Sequence, residues 1–132
     1  MEDTIKLIIA SGFSIVSPLF GGWPALLQVL VVFIVIDYVT GLIAAAYRGK
    51  LCSRVGFKGI GKKIIILALV AVAQGIDIIT GGNNYFRDAV IYFYIINEII
   101  SIIENAGRVG LPIPKILKGF VESLKNKRNK EE

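Results

Sequence analysis

No histidine occurs in the 132 residues, and there is one cysteine, Cys52. The first absence removes the usual base for activating a serine or cysteine nucleophile. Together the two leave no thiolate–imidazole set for zinc or a redox metal, so no metal or cofactor is expected. A lone cysteine also rules out an intramolecular disulfide. Charge is scarce as well: 19% of residues are charged against 55% hydrophobic, and mean hydropathy is +0.69. What charge there is gathers in 48–63 and 108–132, leaving long stretches almost free of it. A soluble domain rarely concentrates its apolar residues in such runs, whereas helices that cross a bilayer need them. The composition predicts one small all-α integral membrane domain over 1–132. Glu2 and Asp3 make the start acidic, and no small-residue cleavage site comes after them, so a removable leader is not expected.

The net charge of +5 raises the question of nucleic acid. The basic residues, however, flank apolar runs, where positive charge fixes topology and meets anionic lipid. Basic and aromatic residues are not interleaved, so nucleic acid is not an expected partner.

Taken in order, residues 4–20 form an apolar helix broken by Lys6, Gly12 and Pro18. It is short enough either to lie in the interface or to cross as a fourth span. Trp23 suits a headgroup-level anchor. Residues 24–47 hold thirteen Leu, Ile, Val or Phe against one acid, Asp37, and are predicted to span. Gly41 and Ala45 make a small-xxx-small pair, which lets helices approach closely in lipid. Residues 48–63 carry six basic residues, no acid and several glycines, and read as a cytoplasmic connector. Gly59, Gly61, Lys62 and Lys63 lack the spacing of a phosphate-cradling loop. A second span is predicted over 64–81, with Ala71 and Gly75 as another close-packing pair and Asp77 near its far end. Arg87 and Asp88 nearly cancel in the short turn after it, as suits an outer loop.

The third predicted span, 89–106, is unlike the others. Asn97, Glu98, Ser101, Glu104 and Asn105 recur at three- and four-residue spacing and form one polar stripe. A charge at the bilayer centre costs roughly 2.5–3.5 kcal/mol. Nine Val, Ile or Phe residues in 89–106 offset that only narrowly. This helix needs a neighbour, or water, along its stripe.

Asp37, Asp77, Glu98 and Glu104 have no Lys or Arg inside the predicted spans, although Glu104 can meet Arg108 four residues on. Three readings of these acids stay open. Protonated, they hydrogen-bond helices together; in an oligomer they line water; or they exchange protons in transport. A hydrolytic carboxylate pair would need a polar substrate cleft, so an enzyme is not expected.

After Pro112 and Pro114, Ile113, Ile116, Leu117, Phe120, Val121 and Leu124 keep helical spacing. Lys115, Lys118, Lys125, Lys127, Arg128 and Lys130 occupy the other positions or the trailing end. Residues 113–132 therefore read as an amphipathic basic helix on an anionic, cytoplasmic membrane surface.

Several of these elements together resemble the phage holins of the family 4 type, the toxin-secretion/phage-lysis holins. The resemblance runs from Asp37 to Leu117. It rests on Asp37-Tyr-Val-Thr40-Gly41, Gly49-Lys50-Leu51-Cys52-Ser53 and Gly61-Lys62-Lys63 ahead of a span that carries Asp77. Asn97-Glu98 with Ser101, Glu104-Asn105, and Gly110-Leu111-Pro112-Ile113-Pro114 complete it. The resemblance implies a multi-span protein of the bacterial cytoplasmic membrane that forms homo-oligomers and opens timed lesions. A wall-degrading endolysin, or a toxin, crosses them without necessarily touching the holin, and no catalytic residue is implied.

Overall fold

The computed structural model describes residues 1–131 and is helical throughout, with no strand among them. Its helices are α1 (Glu2–Val16), α2 (Ala25–Tyr47), α3 (Ser53–Thr80), α4 (Tyr85–Arg108) and α5 (Lys115–Glu131). A 3-10 turn, Ser17–Phe20, comes directly after α1. The connections 48–52 and 81–84 are short, so α2, α3 and α4 run up, down and up as an antiparallel bundle. The end of the bundle that holds the basic 48–52 loop is its basic end.

α4 is the organising helix. It packs most extensively against α2 and then α3, whereas α2 and α3 barely touch each other. Phe20, Leu27, Leu30, Ile34, Val70 and Ile91 form one buried apolar plug between the helices. The outer faces of α2 and α3 are apolar too: Val32, Val35, Ile43, Ile65, Val72 and Ile79 are all more than half exposed. An apolar exterior of this extent belongs in lipid or against other protein. In lipid, burying Leu27 gains no hydrophobic energy, so packing and interhelical hydrogen bonds must specify the bundle.

Three helices are long and apolar enough to cross a membrane: Glu2–Phe20, Ala25–Tyr47 and Ser53–Thr80. The N-terminal segment thus qualifies by length and composition as a span. α4, expected as a span, is not among the three; Arg87, Asp88, Glu98, Glu104 and Arg108 interrupt its 24 residues. α1 has no buried residue and meets the rest at Trp23, whose indole N–H donates to the Phe13 carbonyl at 3.4 Å.

α3 begins at Ser53, well before the predicted Ile64. Of the glycines read as loop-formers, Gly49 does form a turn, at a φ of 68°, but Gly56 and Gly59 lie within α3 and are places of close approach. A Cβ at Gly59 would stand 3.3 Å from the Tyr38 ring. The Tyr38 hydroxyl donates to the Gly56 carbonyl at 3.3 Å. This lets α3 continue past the connector, so Lys63 lies inside a helix rather than in a loop.

Candidate functional site

The stripe on α4 meets two other helices at a buried charged layer. Asp37 comes from α2, Lys63 from α3, and Glu98 and Asn105 from α4. The Lys63 ammonium donates to both Glu98 oxygens, at 2.7 and 2.9 Å, and also to the Asp37 carboxylate. Asn105 donates through Nδ2 to Asp37 Oδ1 at 2.8 Å and to Thr40 Oγ1 at 3.0 Å. Glu98 is 2% exposed, Asn105 4% and Asp37 8%. The expectation that the spans hold no cation for their acids therefore fails at Lys63. The cause is the longer α3, which carries Lys63 to the level of Glu98. A signal for it existed: buried acids demand a counterion, and Lys63 is the cation adjoining the apolar run 64–81.

Chemically the layer holds two carboxylates around one ammonium, with an amide on the second acid. Such a group is tolerated in an apolar bundle only while its partners stay together, because an uncompensated buried charge is costly. It offers no nucleophile–base pair, and no group of three or more metal-ligating side chains occurs among the described residues.

The remaining stripe residues are bound differently. Glu104 is about half exposed, and Lys125 of α5 reaches it at 3.1 Å. Arg108 approaches Glu104 only to 4.0 Å, while its Nη1 donates to Asn105 Oδ1 at 2.8 Å. Arg128 donates to Asn97 Oδ1 at 3.0 Å. These contacts lay α5 antiparallel along α4, level with the charged layer. Lys125 and Arg128 thus face the stripe, whereas Lys115, Lys118, Lys127 and Lys130 are exposed. Ser101 lines a cavity beside the layer, together with Asp37, Lys62 and Lys63.

Asp77 does not join this layer. It sits at the opposite end, 1% exposed, and its two oxygens accept the backbone N–H groups of Phe86 and Arg87, both at 2.9 Å. These are unsatisfied donors of the first turn of α4, so Asp77 anchors that turn to α3. Arg87, read as an outer-loop residue, is 5% exposed and donates to the Phe20 carbonyl at 3.0 Å and to Asp88 at 3.0 Å. Near cancellation of charge in sequence concealed a side chain turned inward. Among the small residues, Gly41 faces the Asn105 side chain and Ala71 packs on the apolar plug. Ala45 lines a cavity at the basic end. A Cβ at Gly75 would meet nothing within 4 Å.

A family model described as the bacteriophage holin family matches residues 14–126. A Listeria innocua protein, itself uncharacterized, is 48% identical over the whole of this chain and 94% of its own length. A Halalkalibacterium halodurans protein is 44% identical over 98% of this chain and all of its own. A Clostridium perfringens protein in the nagH 3′ region is 42% identical over 97% of this chain and all of its own. No solved structure matches the chain.

Proposed function

The chain belongs to the bacteriophage holin family, and we propose on that basis that it acts as a holin. In this reading it assembles into homo-oligomers in the bacterial cytoplasmic membrane and, after a delay, opens lesions. A cytosolic endolysin, or a toxin, then crosses without needing to touch it. No catalytic step is involved.

The observation that carries the mechanism is the buried Asp37–Lys63–Glu98–Asn105 layer on helices whose outer faces are apolar. While protomers are few, the layer stays closed between α2, α3 and α4. As copies accumulate, contacts through small residues such as Gly75 compete with those inside the protomer, and α4 turns its stripe toward water. The two arrangements need differ by only a few kcal/mol for concentration to select between them. The basic 48–52 loop and the α4–α5 turn lie on the cytoplasmic side in this reading, since excess Lys and Arg stay inside, and α5 reaches from there to the stripe. Anionic lipid attracts the exposed lysines of α5 and tunes the delay.

The test is controlled expression in a bacterium with and without a cytosolic wall-degrading enzyme, with membrane potential and optical density recorded together. Abrupt depolarisation after a delay, with lysis only when the enzyme is present, is expected. Glu98→Leu leaves Lys63 paired with Asp37 alone and should delay or abolish the event. Continued growth with an intact potential would overturn the reading.

A second reading, a small proton-coupled transporter, draws on one observation: a single ammonium shared by two buried carboxylates. It predicts substrate flux without cell death, lost in Glu98→Gln.

A further inference from the structure

At the basic end the three bundle helices part around two adjoining cavities of about 340 and 310 Å³. Gly41, Ala44 and Ala45 make the floor of the larger one, and Arg48, Lys50 and Arg108 stand on its rim. The second cavity shares Gly41, Val55, Asn105 and Arg108 and adds Lys62 and Lys63 together with the acids Asp37 and Glu104. The small floor residues leave room that a leucine at any of those positions would fill. Of the rim cations, Arg108 is already engaged, donating to Asn105 Oδ1 at 2.8 Å and lying 4.0 Å from Glu104. Among the described residues, Arg48, Lys50 and Lys62 have no acidic or hydrogen-bonding side-chain partner within reach. The acids nearby are already engaged: Asp37 by Lys63 and Asn105, and Glu104 by Lys125.

We propose that this cavity binds a phosphate-bearing anionic headgroup. Arg48 supplies a planar donor fork suited to phosphate oxygens, and Lys50 supplies a mobile point charge beside it. The apolar floor receives the group attached to the phosphate, an acyl chain if the ligand is a lipid. The position fits, because α2 ends at Tyr47 and the cations begin one residue later, where a span reaches headgroup level. The site requires only that the chain sits in a membrane, and it is independent of the lesion-forming reading.

The experiment uses the full chain in a neutral detergent, with phosphatidylglycerol, phosphatidylcholine or inorganic phosphate added, and measures phosphate retained per protein after gel filtration. Retention of phosphatidylglycerol over phosphatidylcholine is expected. Arg48→Gln with Lys50→Gln should lower that retention more than roughly tenfold. Arg54→Gln with Lys58→Gln removes the same charge at the same end of the bundle, from exposed positions that line neither cavity, and should leave retention unchanged. Ala45→Leu keeps every charge, fills the floor, and should reduce lipid retention alone. If inorganic phosphate is retained as well and displaces the lipid, the ligand is the free anion and the site stands. Equal loss in both charge pairs would reveal diffuse surface attraction and overturn the proposal. So would equal retention of the two lipids. Arg48 and Lys50 are exposed, so unchanged helicity and elution volume are expected in their variant.

Discussion

Asp77 and Asp37 are both buried acids on apolar helices, at opposite ends of one plug, and they are bonded in different ways. Asp77 accepts two backbone N–H groups, and its neighbour Arg87 donates to a backbone carbonyl. Asp37 is held by side chains from two other helices, Lys63 and Asn105. The backbone N–H groups have no other acceptor in the first turn of α4, so Asp77 cannot leave without stranding two donors. Side-chain partners can be exchanged by rotating or sliding one helix. The far end is therefore a staple, and the basic end holds a layer that can be rearranged while the helices stay intact. That asymmetry also suits the cavities, which border the exchangeable layer rather than the staple.

The sharpest way to break this comparison is Lys63→Met. It strands Asp37 and Glu98 against each other, and losing one side of a buried ionic group costs about 3–5 kcal/mol. Thermal unfolding in detergent should show a large loss, mostly recovered when Asp37→Asn and Glu98→Gln are added. If Lys63→Met alone were as stable as the parent, the two acids would be sharing a proton and the ammonium would not be what closes the layer.

Asp77→Ala should come next. It leaves two N–H groups at the start of α4 without acceptors, at about 1–3 kcal/mol for each group left unsatisfied. Its effect should appear as lower stability and abundance, with the delay before depolarisation unchanged once expression is matched. Asp37→Asn should do the reverse, changing the delay more than the stability. If both variants shifted the delay alike, the division into staple and exchangeable layer would fail.

The two layers were not equally legible in the sequence. α2 was legible to within a residue, because a long apolar run bounded by Pro24 and Arg48 leaves one solution. The polar stripe was legible from its period alone, and Glu98, Asn105 and Asn97 all lie on it. What periodicity cannot supply is the partner. It places Lys125 and Arg128 on the polar side of α5, but not against Glu104 and Asn97. Glycine content misled at 53–63, since glycine marks both turns and close contacts, and only the Tyr38 ring distinguishes them. Charge balance misled at Arg87, because adjacent opposite charges say nothing about which side chain turns inward.

Gly21→Ala probes the staple more gently. Gly21 sits at a φ of 71°, and a Cβ there would lie 2.8 Å from Gln74 Nε2 and 2.9 Å from Arg87 Nη1. The backbone term alone is about 1–2 kcal/mol, and displacing the Arg87 head adds to it. Gly22, at a φ of 101° with nothing within 4 Å of its Cβ, is the control for strain without a clash. Gly21→Ala should destabilise more than Gly22→Ala; equal effects would mean that the Arg87 head yields freely and the staple is looser than its bonds suggest.

The smallest effect belongs to Lys125 and Glu104, whose side chains are 40% and 42% exposed at 3.1 Å. If water reaches the stripe from the basic end, this is an ordinary exposed ion pair. A double-mutant cycle with Lys125→Gln and Glu104→Gln should then give about 0.2–1 kcal/mol of coupling. The coupling should also shrink in high salt, since exposed charges are screened. A coupling of several kcal/mol that ignores salt would place the pair in a medium of low dielectric constant. α5 would then be a buried part of the bundle, and the charged layer would be sealed from water at both ends. The weak, screened result keeps one end open, which is what a layer that exchanges its partners requires.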